Sequence, residues 1–166
     1  IILPNNPNVI LTAQQAAEIS DKEVRIVPTK TIPQGISALL AFNPQVSLDE
    51  NVKMMEMAIG HVRSGEVTAA VRSSKVNGME IKEGQFIGLL DGELTAVGES
   101  SEEVVMKLLE QMKAEEGEII TIYYGAEISE EEAQKLARQI EERYPDQEVE
   151  LVWGGQPYYH YILSVE

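Results

Sequence analysis

Apolar residues along the chain alternate between short runs, some with a period of two, and longer stretches in which they recur every three or four positions. These are the spacings of buried or half-buried strands and of amphipathic helices. The opening Ile1-Ile2-Leu3, halted by Pro4, reads as the end of a buried strand. Asn8 is a candidate N-cap for a helix over residues 9–19, and residues 23–27 read as a second strand ending at Pro28. Together they make a βαβ unit with a parallel pair. After a loop over 29–35, the run ISALLAF (residues 36–42) predicts a short buried helix, ended by Asn43-Pro44.

The pattern restarts at Ser47, which forms a capping box with Glu50 ahead of Val52, Met55 and Ile59 on one helical face; Ser64-Gly65 stops that helix. Residues 67–72 are strand-like. Turn pairs then recur at Asn77-Gly78, Glu83-Gly84 and Asp91-Gly92 around apolar stretches over 86–90 and 93–97, which predicts a meander of antiparallel hairpins. Ser100, Ser101 and Glu103 open a helix carrying Val104, Val105, Leu108, Leu109 and Met112. A strand over 118–124 follows, then a helix capped by Ser129 and stopped by Pro145. Strands over 148–153 and 158–165 come after it, split by Gly154-Gly155-Gln156-Pro157, which reads as a hairpin turn. The fold class is α/β in two subdomains: a partial Rossmann-like unit over 1–45, and an α/β unit over 46–166 whose mixed sheet includes antiparallel hairpins.

Composition narrows what such a fold can meet. Of 166 residues, 43% are hydrophobic and 25% charged, a globular balance, and the formal charge is −15. That charge repels phosphate backbones and anionic headgroups, so nucleic acid is not an expected partner. It also suits an ordinary solvated surface. With no cysteine there is no disulfide, thiolate zinc site or cysteine nucleophile, which fits a reducing compartment, and the expected location is the cytoplasm. No apolar run reaches the roughly 18 residues of a membrane span. A chain that opens on Ile1 without Met or a charged leader reads as a fragment of a longer protein.

Candidate chemistry is sparse. His61 and His160 lie a hundred residues apart with no partnering carboxylate spacing, so no metal site is expected. Neither a phosphate loop nor a nucleophile elbow is present, and no catalytic residue is assigned. The loops bearing Asn5, Asn6 and Asn8 and bearing Thr29, Lys30 and Thr31 follow the carboxyl ends of the predicted parallel strands, where α/β sheets place ligand crevices. Amides, hydroxyls and one ammonium suit an anion or a peptide backbone, and they equally suit turns. Arg72, Ser73 and Lys75 form a small cationic island in an acidic chain. Four of the nine aromatic residues fall between Trp153 and Tyr161. Strand alternation puts Tyr158 and His160 on one face and Tyr159 and Tyr161 on the other. One face is core, and the other is a candidate for partner contacts, Tyr159 and Tyr161 included, or for cross-strand pairing.

The segments ILPNNPNVILTAQQAA, VPTKTIPQGISALLAFNP and GGQPYYHYILSVE resemble the C-terminal part of the dihydroxyacetone-kinase-like family of bacterial fatty-acid kinase ATP-binding subunits. The resemblance implies a DegV-like fold whose first subdomain is truncated at its N-terminus. It also implies that ATP and magnesium belong to an N-terminal domain outside this chain, with no cofactor here. The chain would be a non-catalytic domain that docks a DegV-like fatty-acid-binding partner, so that the fatty-acid carboxylate becomes an acyl phosphate by proximity. The alternative is a DegV-like domain that itself binds a fatty acid or another anionic small molecule. An autonomous enzyme using Thr29, Lys30, Thr31, Arg72 and Lys75 lacks a complete constellation. Homodimerisation through the full-length protein stays open.

Overall fold

In the computed structural model, which describes residues 1–76 and 78–166, the first helix starts earlier than the apolar pattern suggests. Helix α1 (Pro7–Glu18) is capped by Asn6, whose side chain accepts from the Asn8 N–H at 2.9 Å. Pro7 explains the shift. Its fixed φ and missing N–H suit the first helical position, so the cap moves ahead of it and Asn8 becomes a donor in the first turn. The strand expected over 23–27 reduces to one parallel bridge, Ile2 to Ile26. The Ile2 N–H donates to Arg25 O at 2.9 Å and the Val27 N–H to Ile2 O at 3.1 Å. The parallel sense of the predicted βαβ unit is there, but two hydrogen bonds do not make a ladder.

Helix α2 (Ile32–Leu40) begins at the Thr31 cap, with Pro33 in its first turn, rather than at residue 36. Helix α3 (Leu48–Ile59) has both halves of the Ser47–Glu50 capping box and ends at Gly60, before Ser64-Gly65. Val27, Ala38 and Met55 form a small core with Leu3, Ala41, Val52 and Ile59. Buried Asn51 ties the α2–α3 connection to α3. Its Oδ1 accepts from the Asn43 N–H at 2.7 Å, and its Nδ2 donates to Asn43 O at 2.9 Å and Ser47 O at 3.2 Å. The segment read as a subdomain boundary near residues 45–46 is thus stitched into the N-terminal unit. The two compact units are Ile1–Val62 and Arg63–Glu166.

The C-terminal unit runs β1 (Arg63–Ala69), β2 (Ser74–Val76), β3 (Met79–Ile81), β4 (Phe86–Leu90), β5 (Glu93–Gly98), α4 (Ser101–Gln111), a short 3-10 turn (Ala114–Glu116), β6 (Ile119–Tyr124), α5 (Glu130–Arg143), β7 (Glu148–Trp153) and β8 (Tyr159–Val165). Six strands form one mixed sheet in the order β5-β4-β1-β8-β6-β7, and β2 and β3 form a separate antiparallel pair. Of the expected Asn77-Gly78 turn between β2 and β3, Asn77 lies outside the described residues. The β4–β5 hairpin has the two-residue turn that the sequence announces. Asp91 (φ 50°) and Gly92 (φ 87°) are both left-handed, which matches the twist of the flanking strands.

Strands β6 and β7 run parallel through α5, and β8 pairs antiparallel on the other side of β6. The Gly154-Gly155-Gln156-Pro157 segment is therefore not a hairpin turn. It crosses the end of β6, and its Gly154 and Gly155 N–H groups both donate to Tyr124 O, at 3.0 and 3.2 Å. Helices α4 and α5 pack on one face of the sheet. Val104, Val105, Leu108, Leu109, Leu136 and Ile140 close there over Val67, Ile120, Ile122, Tyr161, Leu163 and Val165. Among the described residues no helix is long and apolar enough to cross a membrane. Leu108 is fully buried in this core, so Leu108→Ala should cost about 2–5 kcal/mol of stability, read as a fall in the urea midpoint; a loss below about 1 kcal/mol would mean this layer is not the main core.

Candidate functional site

The loop residues singled out in the N-terminal unit do come together. Asn5 lies in the left-handed region (φ 54°), and its N–H donates to the Thr29 hydroxyl at 3.0 Å. Thr29 is wholly buried. The Asn5 amide lies against Gly35, where a Cβ would collide with Oδ1, so the first turn of α2 admits the amide only because residue 35 is glycine. Among the described residues, no donor lies in reach of Oδ1, which is itself buried. Thr31 is buried and caps α2, and the exposed Lys30 donates its backbone N–H to Gln34 Oε1 at 2.8 Å. Asn6 and Asn8 are exposed at the start of α1. Two helix N-termini converge on the Asn5–Thr29 contact, a setting that favours negative charge. Much of the polar set is already engaged in holding the turns. Gly35 and Gln34 were missed in the sequence reading; a glycine inside a helical run is the signal that could have found them.

A second feature of this unit is apolar. Ile1, Leu3, Leu39, Phe42, Leu48 and Met55 line an open pocket of about 390 Å³.

In the C-terminal unit the aromatic cluster is arranged differently from simple alternation. The register steps from Val67↔Tyr161 to Thr68↔Tyr159, which leaves His160 as an extra residue in β8. Successive residues of β1 face opposite sides of the sheet, so their partners do too. Tyr161 is fully buried in the core beneath α4 and α5 and is not a surface contact. Tyr159 is half-buried beside Glu66; burial first, and then that carboxylate, pushes its hydroxyl pKa up. His160 packs edge-on against Phe86, with ring centroids 5.1 Å apart, and its Nε2 lies 3.8 Å from Glu127.

The exposed rings are two that the sequence reading had not assigned to partner contact: Trp153 at 69% and Tyr158 at 79% exposure. Tyr158 has φ 69°, a strained conformation for a bulky residue that costs on the order of 1–3 kcal/mol. Its carbonyl accepts from the Thr68 hydroxyl at 2.6 Å. The Trp153 indole lies against Gly155, and Gln156 Nε2 donates to Tyr123 O at 2.9 Å. The loop is thus pinned at both ends and its middle while presenting two large rings. Arg72 and Lys75 are exposed elsewhere in this unit, and Lys75 Nζ lies 3.9 Å from Glu80 across the β2–β3 ladder. They belong to a different unit from Thr29, Lys30 and Thr31.

A family model for the C-terminal part of FakA-like fatty acid kinase proteins matches residues 1–166. Protein YloV of Bacillus subtilis (strain 168) is 46% identical over 165 residues, covering 99% of this chain and 30% of that protein. An uncharacterized protein of Staphylococcus aureus (strain USA300) is 43% identical over 166 residues, covering 100% of this chain and 30% of its own length. The chain thus spans under a third of the length of these curated relatives. Among solved structures, the fatty acid kinase B3 protein of Streptococcus pneumoniae, loaded with linoleic acid, aligns with a TM-score of 0.66 at 15% identity, over 99% of this chain and 70% of that one. A fatty-acid-binding DegV family protein of Thermus thermophilus gives 0.59 at 12% identity, over 96% of this chain and 66% of that one. At such identities the likeness is one of fold, which is DegV-like.

Two outcomes check the site geometry. Gly35→Ala should destabilise the chain by forcing the Asn5 amide out. Asn5→Gly removes both the amide and the left-handed strain, so the double variant should recover stability, with a coupling of about 0.5–3 kcal/mol in a thermal or urea cycle; strict additivity would mean that the two residues do not touch. Glu66 is held above the usual carboxylate range by burial, then by Asp91. The fold therefore favours its protonated form, and its contribution is lost as pH rises from the unfolded value of about 4.3 through the raised folded one. Glu66→Gln should accordingly melt higher than the parent at pH 7 and lose that advantage below about pH 4.

Proposed function

The chain belongs to the family of FakA-like fatty acid kinase C-terminal domains, and on that premise we propose that it docks a DegV-like, acyl-carrying partner so that the partner's fatty-acid carboxylate can be phosphorylated. In this reading ATP and magnesium are held in another part of a longer polypeptide, and the chain contributes position rather than a reacting group. The observation that supports it best is the loop between β7 and β8. Trp153 and Tyr158 are exposed there on a segment fixed by Tyr123, Tyr124 and Thr68. Large aromatic rings are the residues that dominate interface energetics, and a loop already rigid loses little entropy on binding.

A second reading, that the chain itself binds a fatty acid, is favoured by the apolar pocket of about 390 Å³ around Leu39, Phe42 and Met55.

Calorimetric titration of the 166-residue chain with a lipid-loaded DegV-like binding protein should give a saturable isotherm. Tyr158→Gly should weaken it tenfold or more while leaving the melting temperature unchanged or raised, because glycine accepts φ 69° without strain. No association at high micromolar concentration would remove the docking reading. Native mass spectrometry of the same preparation separates the two: a co-purifying fatty acid, lost on Leu39→Asp, supports the second.

A further inference from the structure

The six-stranded sheet ends at two edges that the chain treats differently. Strand β5 steps out of register against β4, and its Thr95 and Val97 carbonyls accept from Gln111 Nε2 and Lys107 Nζ of α4, at 3.2 and 2.8 Å. Irregular register and covering groups of this kind blunt an edge. Strand β7, at the other end of the order, pairs with β6 along its whole length without a shift. The Glu148 and Gly154 N–H groups donate inward to Glu118 O and Tyr124 O, at 2.9 and 3.0 Å. By alternation, the N–H and C=O groups of Val149, Leu151 and Trp153 point off the edge. Among the described residues nothing pairs with them.

Beside this edge runs a groove of about 380 Å³, lined by Gln134, Ala137, Arg138 and Glu141 on one stripe of α5 and by Val149 and Leu151 of β7. Val149 and Leu151 are half-buried against the core beneath α5, so the strand side of the groove is apolar. The opposite face of β7 carries Glu148, Glu150 and Val152, all exposed. Glu150 receives only the Thr121 hydroxyl, at 3.5 Å. Among the described residues neither Glu148 nor Glu150 forms an ion pair. The surrounding field has the same sign: residues 63–166 carry 22 acidic and 9 basic side chains, a formal charge of −13. Such a surface draws in a basic partner.

We propose that the β7 edge receives an extended basic segment of a partner polypeptide, which adds to the sheet as a further, antiparallel strand. Main-chain bonds to Val149, Leu151 and Trp153 hold it, two at each residue, as in any hydrogen-bonded antiparallel pair. Residues opposite those three share their face, so apolar side chains there lie over the groove beside α5. Lysine or arginine at the intervening positions stands opposite Glu148 and Glu150. The partner sequence therefore alternates apolar and basic residues. A second copy of this chain fits worse: each copy carries a formal charge of −15, and pairing two β7 strands about a two-fold axis gathers Glu148 and Glu150 of both on one face. The edge keeps this role whether or not the aromatic loop meets a DegV-like protein.

The test uses the 166-residue chain, isotopically labelled, at about 0.15 M salt, where exposed charges more than about 8 Å apart are largely screened. It is titrated with the acetylated, amidated hexapeptide Lys-Val-Lys-Val-Lys-Val and with two isomers of it, methylated on the backbone nitrogens of either the valines or the lysines. All three peptides carry the same charge, and the protein is unaltered. Expected are saturable shifts at the Val149, Leu151 and Trp153 amides, whose protons exchange fast in the free chain and slowly in the complex. The lysine-methylated isomer, whose methyl groups point away from β7, should bind like the parent peptide. The valine-methylated isomer lacks the donors that face the edge and should bind at least about tenfold more weakly. Glu150→Lys should weaken the parent peptide at least about tenfold by setting like charges opposite one another. The same charge change at Glu110, exposed on α4, should leave its affinity unaltered. The proposal is overturned if the two methylated isomers bind equally, which is adsorption by charge alone, or if no shift saturates. It is equally overturned if the three edge amides already exchange slowly in the free chain, a dimeric mass then marking a second copy as the occupant.

Discussion

The C-terminal unit depends on where β8 sits. It lies between β1 and β6, and through those two antiparallel ladders it joins the hairpin strands β4 and β5 to the parallel pair β6 and β7. Its residues 161–165 are all buried, the state of a strand covered on both faces. Tyr161, Leu163 and Val165 close the layer under α4 and α5, while Ile162 and Ser164 point the other way. Both of its ladders bridge large gaps in sequence, Arg63 to Val165 in one case and Tyr124 to Tyr161 in the other. Such non-local pairing is slow to form and cooperative once formed. The aromatic loop that precedes it inherits its geometry from it.

What was legible in the chain was local chemistry. The capping box at Ser47, the helix cap at Ser129, the Asp91-Gly92 turn, the 3.6-residue periodicity of α4 and the strand-helix-strand order of β6, α5 and β7 all appear where the residues announce them. Each is decided within a few residues by a cap, a left-handed turn or an apolar face. Misreadings arose where a neighbour distant in sequence decides. The subdomain boundary read between residues 45 and 46 falls in a connection that the side chain of Asn51 holds against α3. Gly154-Gly155 looks like a hairpin turn, but β6 lies between the two strands it connects.

The site was less legible than the fold for the same reason. Asn5, Thr29 and Thr31 could be grouped because they follow two bridged segments of one βαβ unit. The aromatic run could be noticed but not sorted into buried and exposed rings, because alternation assumes an unbroken ladder. One extra residue at His160 sends Tyr161 inward and turns Tyr159 to the opposite face.

That extra residue also divides the strand into two parts with different tolerance for change. On one side of His160, residues 161–165 are bound into a packed interior on both faces, where a change of one methylene is felt. On the other side, the segment from Trp153 to Tyr158 is held through main-chain and side-chain hydrogen bonds to Tyr123, Tyr124 and Thr68, while the rings of Trp153 and Tyr158 stand in solvent. Natural selection can therefore exchange the two outward rings of such a domain while leaving the packed interior of the strand untouched.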